Sequence, residues 1–145
     1  KKLSEIPGLQ ISNPTIKAHR MEMTRWSLGS LTEETGVSTV DFANRMADFG
    51  IDPYWMSHEP WIVAEPFTPE AGELWSKEDI DIWIKVIAQI VEEARTNPEL
   101  VKTAPHNQAI AQVKGNEFED PAKWAMTWRA YQRKVQSIGK AKGLA

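Results

Sequence analysis

The clearest pattern of apolar positions lies between residues 76 and 97. Isoleucine, valine, tryptophan and alanine recur there every three or four residues, which is the period of one helix face. Ser76 is placed to cap this helix, and Asp79 follows at the third position. Pro98 disfavours helical backbone at the residue before it. The pattern predicts one long amphipathic helix over this stretch.

A second, shorter helical pattern precedes it. Ser38 is a good N-cap with Asp41 three residues later, and Gly50 is placed to end the helix in the left-handed conformation. The apolar residues between them share one face: Phe42, Ala43, Met46 and Phe49. We therefore predict a helix from Ser38 to Gly50.

The strand patterns are weaker. Residues 16–28 alternate loosely between apolar and polar, which predicts a strand centred on His19–Trp26. Residues 29–36 are interpreted as a polar connection. The short apolar runs Tyr54–Ser57 and Trp61–Ala64 predict two further strands. Strands and helices that do not alternate regularly indicate an α+β fold, with a short antiparallel sheet covered by helices.

Proline and glycine interrupt the chain after the last of these runs. Pro66, Pro69 and Gly72 are expected to prevent regular structure as far as Trp75. Residues 1–15 are expected to form a linker or an N-terminal extension, because turn signals surround their short apolar run.

A last helix is predicted after Asp120 and Pro121, which supply a cap and a first-position proline. Its apolar stripe is rich in aromatic residues: Trp124, Trp128, Tyr131, Val135 and Ile138. Such a stripe more often belongs to a core or a subunit interface than to a ligand site. We place this helix in a C-terminal extension, residues 114–145.

Composition excludes several classes of protein. The net charge of −3 argues against a nucleic-acid-binding surface, which is usually basic. There is no cysteine, so no disulfide or zinc–cysteine site exists. No apolar run approaches the roughly 20 residues that a membrane span needs. No signal peptide is visible, and a cytoplasmic protein without a metal is expected.

Candidate chemistry is sparse. His58 and Glu65 could form an acid–base or metal pair, which would suit a small hydrolase, although a surface histidine near a solvated carboxylate is the commoner case. Arg25 beside Trp26 could bind a substrate carboxylate through its guanidinium fork. Its alternative is a surface residue whose stem lies on the tryptophan. No lysine has the apolar surroundings that a Schiff base requires.

The run from Glu34 to Gly50 resembles the C-terminal domain of the decarboxylating glycine dehydrogenase, the P-protein of the glycine cleavage system, in its subunit 2 form. Further motifs of that family follow in order: Pro53, Pro60–Val63, Glu65–Glu70, Ser76–Glu78, Asn97-Pro98 and Ala104-Pro105-His106. The resemblance covers about residues 16–113.

The resemblance implies a small domain of a fold-type-I enzyme that depends on pyridoxal 5'-phosphate. Such enzymes decarboxylate glycine and pass the aminomethyl group to a lipoyl carrier protein. The C-terminal domain packs on a large domain, which holds the cofactor lysine, and helps to close the active site. That lysine would be absent from this chain, which would be inactive alone and would work in a hetero-oligomer.

The same resemblance suggests substrate-side or loop-positioning roles for seven residues: His19, Arg25, Asp52, His58, Glu65, Thr68 and His106. The chain departs from the family at Asp52–Trp55, where a His-Pro-Pro/Ala-Thr run is usual, and at Phe67 and Pro69. These departures leave open another amino acid or an amine as substrate. The alternative function is a non-catalytic assembly subunit that docks through its tryptophan-rich C-terminal helix.

Overall fold

The protein is described from a computed structural model. The structure describes residues 1–15, 24–51, 63–70, 72–110, 112 and 127–141. The chain forms two compact units, Lys1–Gln112 and Val113–Ala145. Residues 19–23 of the predicted strand centre His19–Trp26, the predicted strand Tyr54–Ser57 and the predicted start of the last helix lie outside the described residues.

The described elements combine short strands with helices, which confirms the α+β prediction. The first unit contains a 3-10 helix (Lys2–Glu5), β1 (Gln10–Ile11), β2 (Trp26–Ser27), α1 (Gly29–Thr35), α2 (Thr39–Asp48), β3 (Pro66–Phe67), α3 (Lys77–Thr96) and α4 (Pro98–Lys102). The second unit contains α5 (Trp128–Ala141). Within the described ranges, no helix combines the length and apolar character that a membrane crossing needs.

The sheet is antiparallel, in the order β1-β2-β3. Trp26 pairs with Ile11 on one side and with Phe67 on the other. Two predictions fail here. Val63 and Ala64 lie in a bend instead of a strand, and Pro66, predicted as a breaker, opens β3. A proline is tolerated there because β3 is an edge strand and Pro66 is its first residue.

Both predicted amphipathic helices are confirmed, and each begins with a complete capping box. In α2 the Ser38 hydroxyl accepts the Asp41 backbone N–H at 3.2 Å, while the Asp41 carboxylate accepts the Ser38 N–H at 2.9 Å. In α3 Ser76 and Asp79 repeat the arrangement at 3.1 and 2.8 Å. These reciprocal bonds satisfy backbone donors that a helix N-terminus otherwise leaves unpaired.

The stretch 29–36, predicted as a polar connection, contains α1 instead. Leu28 and Leu31 are fully buried, and the Thr35 hydroxyl donates to the Leu31 carbonyl at 2.7 Å. Gly36 ends the helix with φ of +71°. The prediction was wrong because two buried leucines and tertiary packing hold this short helix, and so few apolar positions show no period.

One core joins the sheet to the helices of the first unit. Phe67 from β3, Phe42 from α2 and Ile87 and Ile90 from α3 are fully buried. Ile6 and Leu9 from the N-terminal segment belong to the same cluster. The core therefore fixes both ends of α2 and the start of β3, where the predicted site residues lie.

Candidate functional site

Four of the seven predicted site residues can be located, namely Arg25, Glu65, Thr68 and His106. The other three, His19, Asp52 and His58, lie outside the described residues. The four located residues occupy three separate places, which are described in turn.

Arg25 and Thr68 lie together at one end of the sheet. Because Trp26 pairs with Phe67 in an antiparallel ladder, the next position of each strand faces the other. On the opposite side, the Ser12 backbone N–H donates to the Arg25 carbonyl at 2.9 Å. Both site residues are half-buried. The register thus places an arginine and a threonine opposite each other at one end of the sheet, and these residue types are suited to binding a carboxylate group.

Glu65 lies at the other end of β3 and reaches the N-terminus of α2. Its carboxylate Oε2 accepts the Thr39 backbone N–H at 2.6 Å, and its carbonyl accepts the Leu28 N–H at 2.9 Å. Its backbone has φ of +46°, a region that L-residues adopt at a cost. Glu65 therefore positions the loop before β3 against α2, with its carboxylate directed at the helix and its dipole.

The buried Ser27 side chain forms hydrogen bonds that hold this loop in place. The Ser27 hydroxyl donates to the Ala64 carbonyl and accepts the Gly29 backbone N–H at 3.0 Å. The side chain thereby joins β2, α1 and the residue before Glu65. Ser27 could not be singled out from the sequence, because a single serine between apolar residues carries no pattern that distinguishes it.

His106 lies at the C-terminus of α2, where Asp48 holds its loop. The Asp48 Oδ1 atom accepts the backbone N–H groups of His106 and Asn107, each at 2.6 Å. The His106 Nε2 atom lies 2.8 Å from the Leu100 carbonyl. A carbonyl only accepts, so the hydrogen bond places a ring proton on Nε2 and leaves Nδ1 as the basic nitrogen of the neutral ring.

A buried charge network anchors Asp48. Arg45 donates to Asp48 at 2.9 Å and, through Nε, to Glu93 on α3 at 2.8 Å. The exposed side-chain fractions are 12% for Arg45, 1% for Asp48 and 13% for Glu93. Arg45 therefore links α2 to α3, a role that its position on a predicted helix did not reveal.

The network sets the protonation states of its members. Burial would raise the pKa of Asp48, but hydrogen bonds from Asn107, Arg45 and His106 outweigh it and lower the pKa. Burial would also raise the pKa of Glu93, but the hydrogen bonds from Arg45 and Gln89 outweigh it. The pKa of Glu93 is therefore lowered. The hydrogen bond to Glu93 raises the pKa of Arg45. All three groups are therefore charged at neutral pH.

The structure does not gather the located residues into one constellation. Helix α2 has ten residues and is about 15 Å long, with Glu65 at its N-terminus and His106 at its C-terminus. Arg25 and Thr68 form a third place on the sheet. These residues fit positioning and binding roles better than a shared acid–base step.

The described residues do not fit a cofactor Schiff base or a metal. Lys2 and Lys77 both pair with Asp81, and Lys102 lies 3.5 Å from Glu99. Lys1 and Lys85 are exposed. A Schiff-base lysine needs apolar surroundings, which none of these five has. Within the described part of the chain, no three His, Asp or Glu residues are grouped so as to hold a metal ion.

Curated proteins that resemble this chain carry the same name in several organisms. The chain is 35% identical over 132 residues to the probable glycine dehydrogenase (decarboxylating) subunit 2 of Pyrococcus horikoshii, covering 91% of this chain and 25% of that protein. It is 39% identical over 112 residues to the subunit of the same name from Thermosipho africanus, covering 77% of this chain and 22% of that protein. No family model and no solved structure matches the chain.

These relatives confirm the resemblance drawn from the sequence motifs. The chain spans about one quarter of the length of the curated relatives it matches. It is therefore similar to part of proteins named glycine dehydrogenase (decarboxylating) subunit 2.

Proposed function

We propose that this chain, a homologue of one quarter of glycine dehydrogenase (decarboxylating) subunit 2, is the C-terminal domain or a small subunit of a glycine-decarboxylase-like enzyme. The observation that carries this proposal is the similarity over 91% of the chain to one region of a longer enzyme subunit. The chain would help to close an active site borne by a separate large domain, on the same or another polypeptide.

The cofactor belongs to that large domain in this proposal. Pyridoxal 5'-phosphate, bound there in a fold-type-I domain, would supply the electron sink for amino-acid decarboxylation. The five lysines of the first unit whose side chains are described support this division, since all are exposed or ion-paired. The aminomethyl group would pass to a lipoyl carrier, and the whole would be a cytoplasmic hetero-oligomer. The first unit, Lys1–Gln112, would form the domain itself, because its sheet and core include β1, Ile6 and Leu9.

The residues of this chain would position rather than react. Arg25 and Thr68, together on the sheet edge, would bind the substrate carboxylate. Glu65 and the His106 loop, each tied to one end of α2, would hold the surrounding loops in place. We assign the remaining predicted residues, His19, Asp52 and His58, to the same substrate side. The departure from the family at Asp52–Trp55 leaves glycine, another amino acid or an amine as candidate substrates.

The test is reconstitution with the cofactor-bearing chain from the same source. The isolated chain should show no pyridoxal 5'-phosphate absorbance and should release no carbon dioxide from carboxyl-labelled glycine. The complex, supplied with a lipoyl carrier protein whose lipoyl disulfide accepts the aminomethyl group, should show the absorbance and release carbon dioxide. Stoichiometric cofactor binding by the isolated chain would contradict the proposal, as would full activity of the large chain without this one.

Arg25→Met in the complex tests the sheet edge. Losing a charged hydrogen bond to the substrate should raise KM by roughly ten-fold or more, because such bonds contribute about 1.5–3 kcal/mol. Arg95→Met is the matched control, since Arg95 pairs with Glu34 on the surface. Steady-state kinetics would separate KM from kcat. An unchanged KM would remove Arg25 from the substrate site.

A second candidate function rests on α5. Trp128 and Tyr131 stack with ring centroids 5.4 Å apart, and their exposed fractions are 71% and 47%. Exposed aromatic side chains of this kind are enriched at protein interfaces. The chain would then be a non-catalytic assembly subunit. Co-purification with a protein that lacks any cofactor-binding domain would favour this candidate over the first.

A further inference from the structure

An apolar concavity lies between the end of α2 and the beginning of α3. Its volume is about 380 Å³. The lining residues are Phe49, Gly50, Ile51, Trp75, Asp79, Ile82 and Trp83. We refer to this surface as the α2–α3 groove. Its lining includes Phe49 and Gly50, which follow α2, but none of the four located residues to which the proposed function assigns roles, Arg25, Glu65, Thr68 and His106.

Several large apolar side chains in and beside the groove are partly exposed. The exposed fractions are 39% for Phe49, 38% for Trp75 and 56% for Ile82. Leu74, beside Trp75 on the preceding turn, is 97% exposed. Single exposed apolar residues are common, but several large ones around one concavity mark a protein–protein contact.

The aromatic side chains of the groove are held in place. Trp75 packs edge-on against Trp83, with centroids 6.2 Å apart, and its backbone N–H donates to the Gly72 carbonyl at 3.0 Å. The Arg45 guanidinium lies 4.9 Å from the centre of the Phe49 ring. Because little side-chain freedom remains to be lost, binding in this groove has a low ordering cost.

The rim of the groove is acidic. Asp79 lines it, and Glu73 and Glu78 are its exposed neighbours along the chain. Hydrogen bonding by Ser76 lowers the pKa of Asp79, which is therefore charged at neutral pH. The adjacent Lys77 is already paired with Asp81. The complementary surface is an apolar side chain flanked by lysine or arginine. Two such grooves would repel each other, which disfavours a groove-to-groove dimer.

We infer that the α2–α3 groove is the surface through which this chain docks on the cofactor-bearing domain, taking up an apolar anchor flanked by basic residues. This inference rests on the proposed function. The relatives are about four times as long as the matched region, so three quarters of their length has no counterpart here. A partner of that size requires a docking surface, and the groove is apolar, concave and charged in the way such a surface needs.

The test measures binding to the cofactor-loaded chain that is similar to the remaining three quarters of the relatives. Ile82→Glu places a fourth carboxylate in the groove and should weaken binding at least about ten-fold, as expected for a central interface residue. Ile110→Glu is the matched control, because Ile110 is 73% exposed and does not line the groove. Isothermal titration calorimetry gives the dissociation constants, and circular dichroism confirms that both variants are folded.

A second variant tests the charge of the rim. Glu73→Lys should weaken binding, and the loss should shrink as salt is added, because exposed charges are screened. Wild-type binding that Ile82→Glu leaves unchanged would overturn the inference and leave the proposed function intact. A wild-type chain that does not bind the cofactor-loaded partner would instead defeat the proposed function, and the inference with it. Self-association that Ile82→Glu abolishes would reassign the groove to a contact between copies.

Discussion

A hydrogen bond from a backbone N–H to a carboxylate attaches a loop at each end of α2, but helix and loop exchange the roles of donor and acceptor. At the N-terminus the helix offers a backbone N–H, at Thr39, and the loop before β3 supplies the carboxylate of Glu65. At the C-terminus the helix supplies the carboxylate of Asp48, and the loop offers the N–H groups of His106 and Asn107. The carboxylate therefore belongs to the loop at the N-terminus of α2 and to the helix at its C-terminus.

The difference matters because of what surrounds each carboxylate. Glu65 is half-exposed, and if it is lost the capping box still satisfies the backbone N–H groups of Ser38 and Asp41. Asp48 is almost fully buried and also neutralises Arg45. The C-terminal attachment should therefore contribute more to stability than the N-terminal one. Variants at the two ends measure that difference directly.

The largest effect is expected at Arg45. Arg45→Met leaves Asp48 and Glu93 buried without their counter-ion and should lower the free energy of unfolding by about 3–5 kcal/mol. Urea denaturation of the first unit measures this loss. Lys77→Met is the control, because its pair with Asp81 is on the surface and should contribute less than about 1 kcal/mol. Equal losses in the two variants would show that the buried network is not special.

Asp48 comes next. Asp48→Ala leaves two loop N–H groups and part of the Arg45 guanidinium unsatisfied and should cost about 1–3 kcal/mol. Asp48→Asn keeps an oxygen at the same position. Amide hydrogen exchange at His106 and Asn107 should therefore stay slow in Asp48→Asn and become fast in Asp48→Ala. Slow exchange in both variants would mean that the loop is held without Asp48.

Variants of Glu65 should lose less stability than those of Asp48, and the glycine variant should be more stable than the alanine variant. Glu65→Ala loses the bond to Thr39 but keeps the unfavourable φ of +46°, so it should cost about 1 kcal/mol. Glu65→Gly loses the same bond but relieves the backbone, which offsets about 1 kcal/mol of that loss. Thermal unfolding should rank glycine above alanine here. The reverse order would show that the backbone at this position is not strained.

The smallest effect is a change in pH dependence. The folded pKa values of Asp48 and Glu93 lie below their ordinary values, so their contribution is complete above the unfolded pKa of about 4 and is lost as the pH falls through the folded values. Stability should therefore fall on acidification below about pH 4. Arg45→Met should flatten this slope, because it removes a cause of both lowered pKa values. Unfolding curves at several acidic pH values provide the measurement.

Helix α3 and helix α2 could be predicted because their signals are local and repeated. A serine cap, an acidic third position and an apolar period all agree within a single stretch. Helix α1 and strand β3 could not be predicted in this way. Each depends on contacts far along the chain, such as the pairing of Pro66 with Ser27 and the burial of Leu31 in the common core.

The candidate site residues were also predictable only in part. Family motifs pointed to Glu65 and His106, but no residue pattern could show that they lie at opposite ends of one helix. Asp48 and Ser27 were missed altogether. Both act through bonds to backbone groups 37 or more positions away, and such bonds leave no periodic trace in the sequence.

The pairing of β2 with β3 has a consequence for how the chain folds. It joins Ser27 to Pro66 and so closes a loop of about 40 residues, whose closure costs chain entropy that grows with the logarithm of loop length. The backbone hydrogen bonds of two paired residues per strand offset little of this entropy cost until Trp26 and Phe67 stack, with ring centroids 6.3 Å apart. Helix α2 lies within the loop and begins with a local capping box, so it can form first and shorten the search. We therefore expect the sheet to close late, with changes at Trp26 or Phe67 acting mainly on the rate of unfolding.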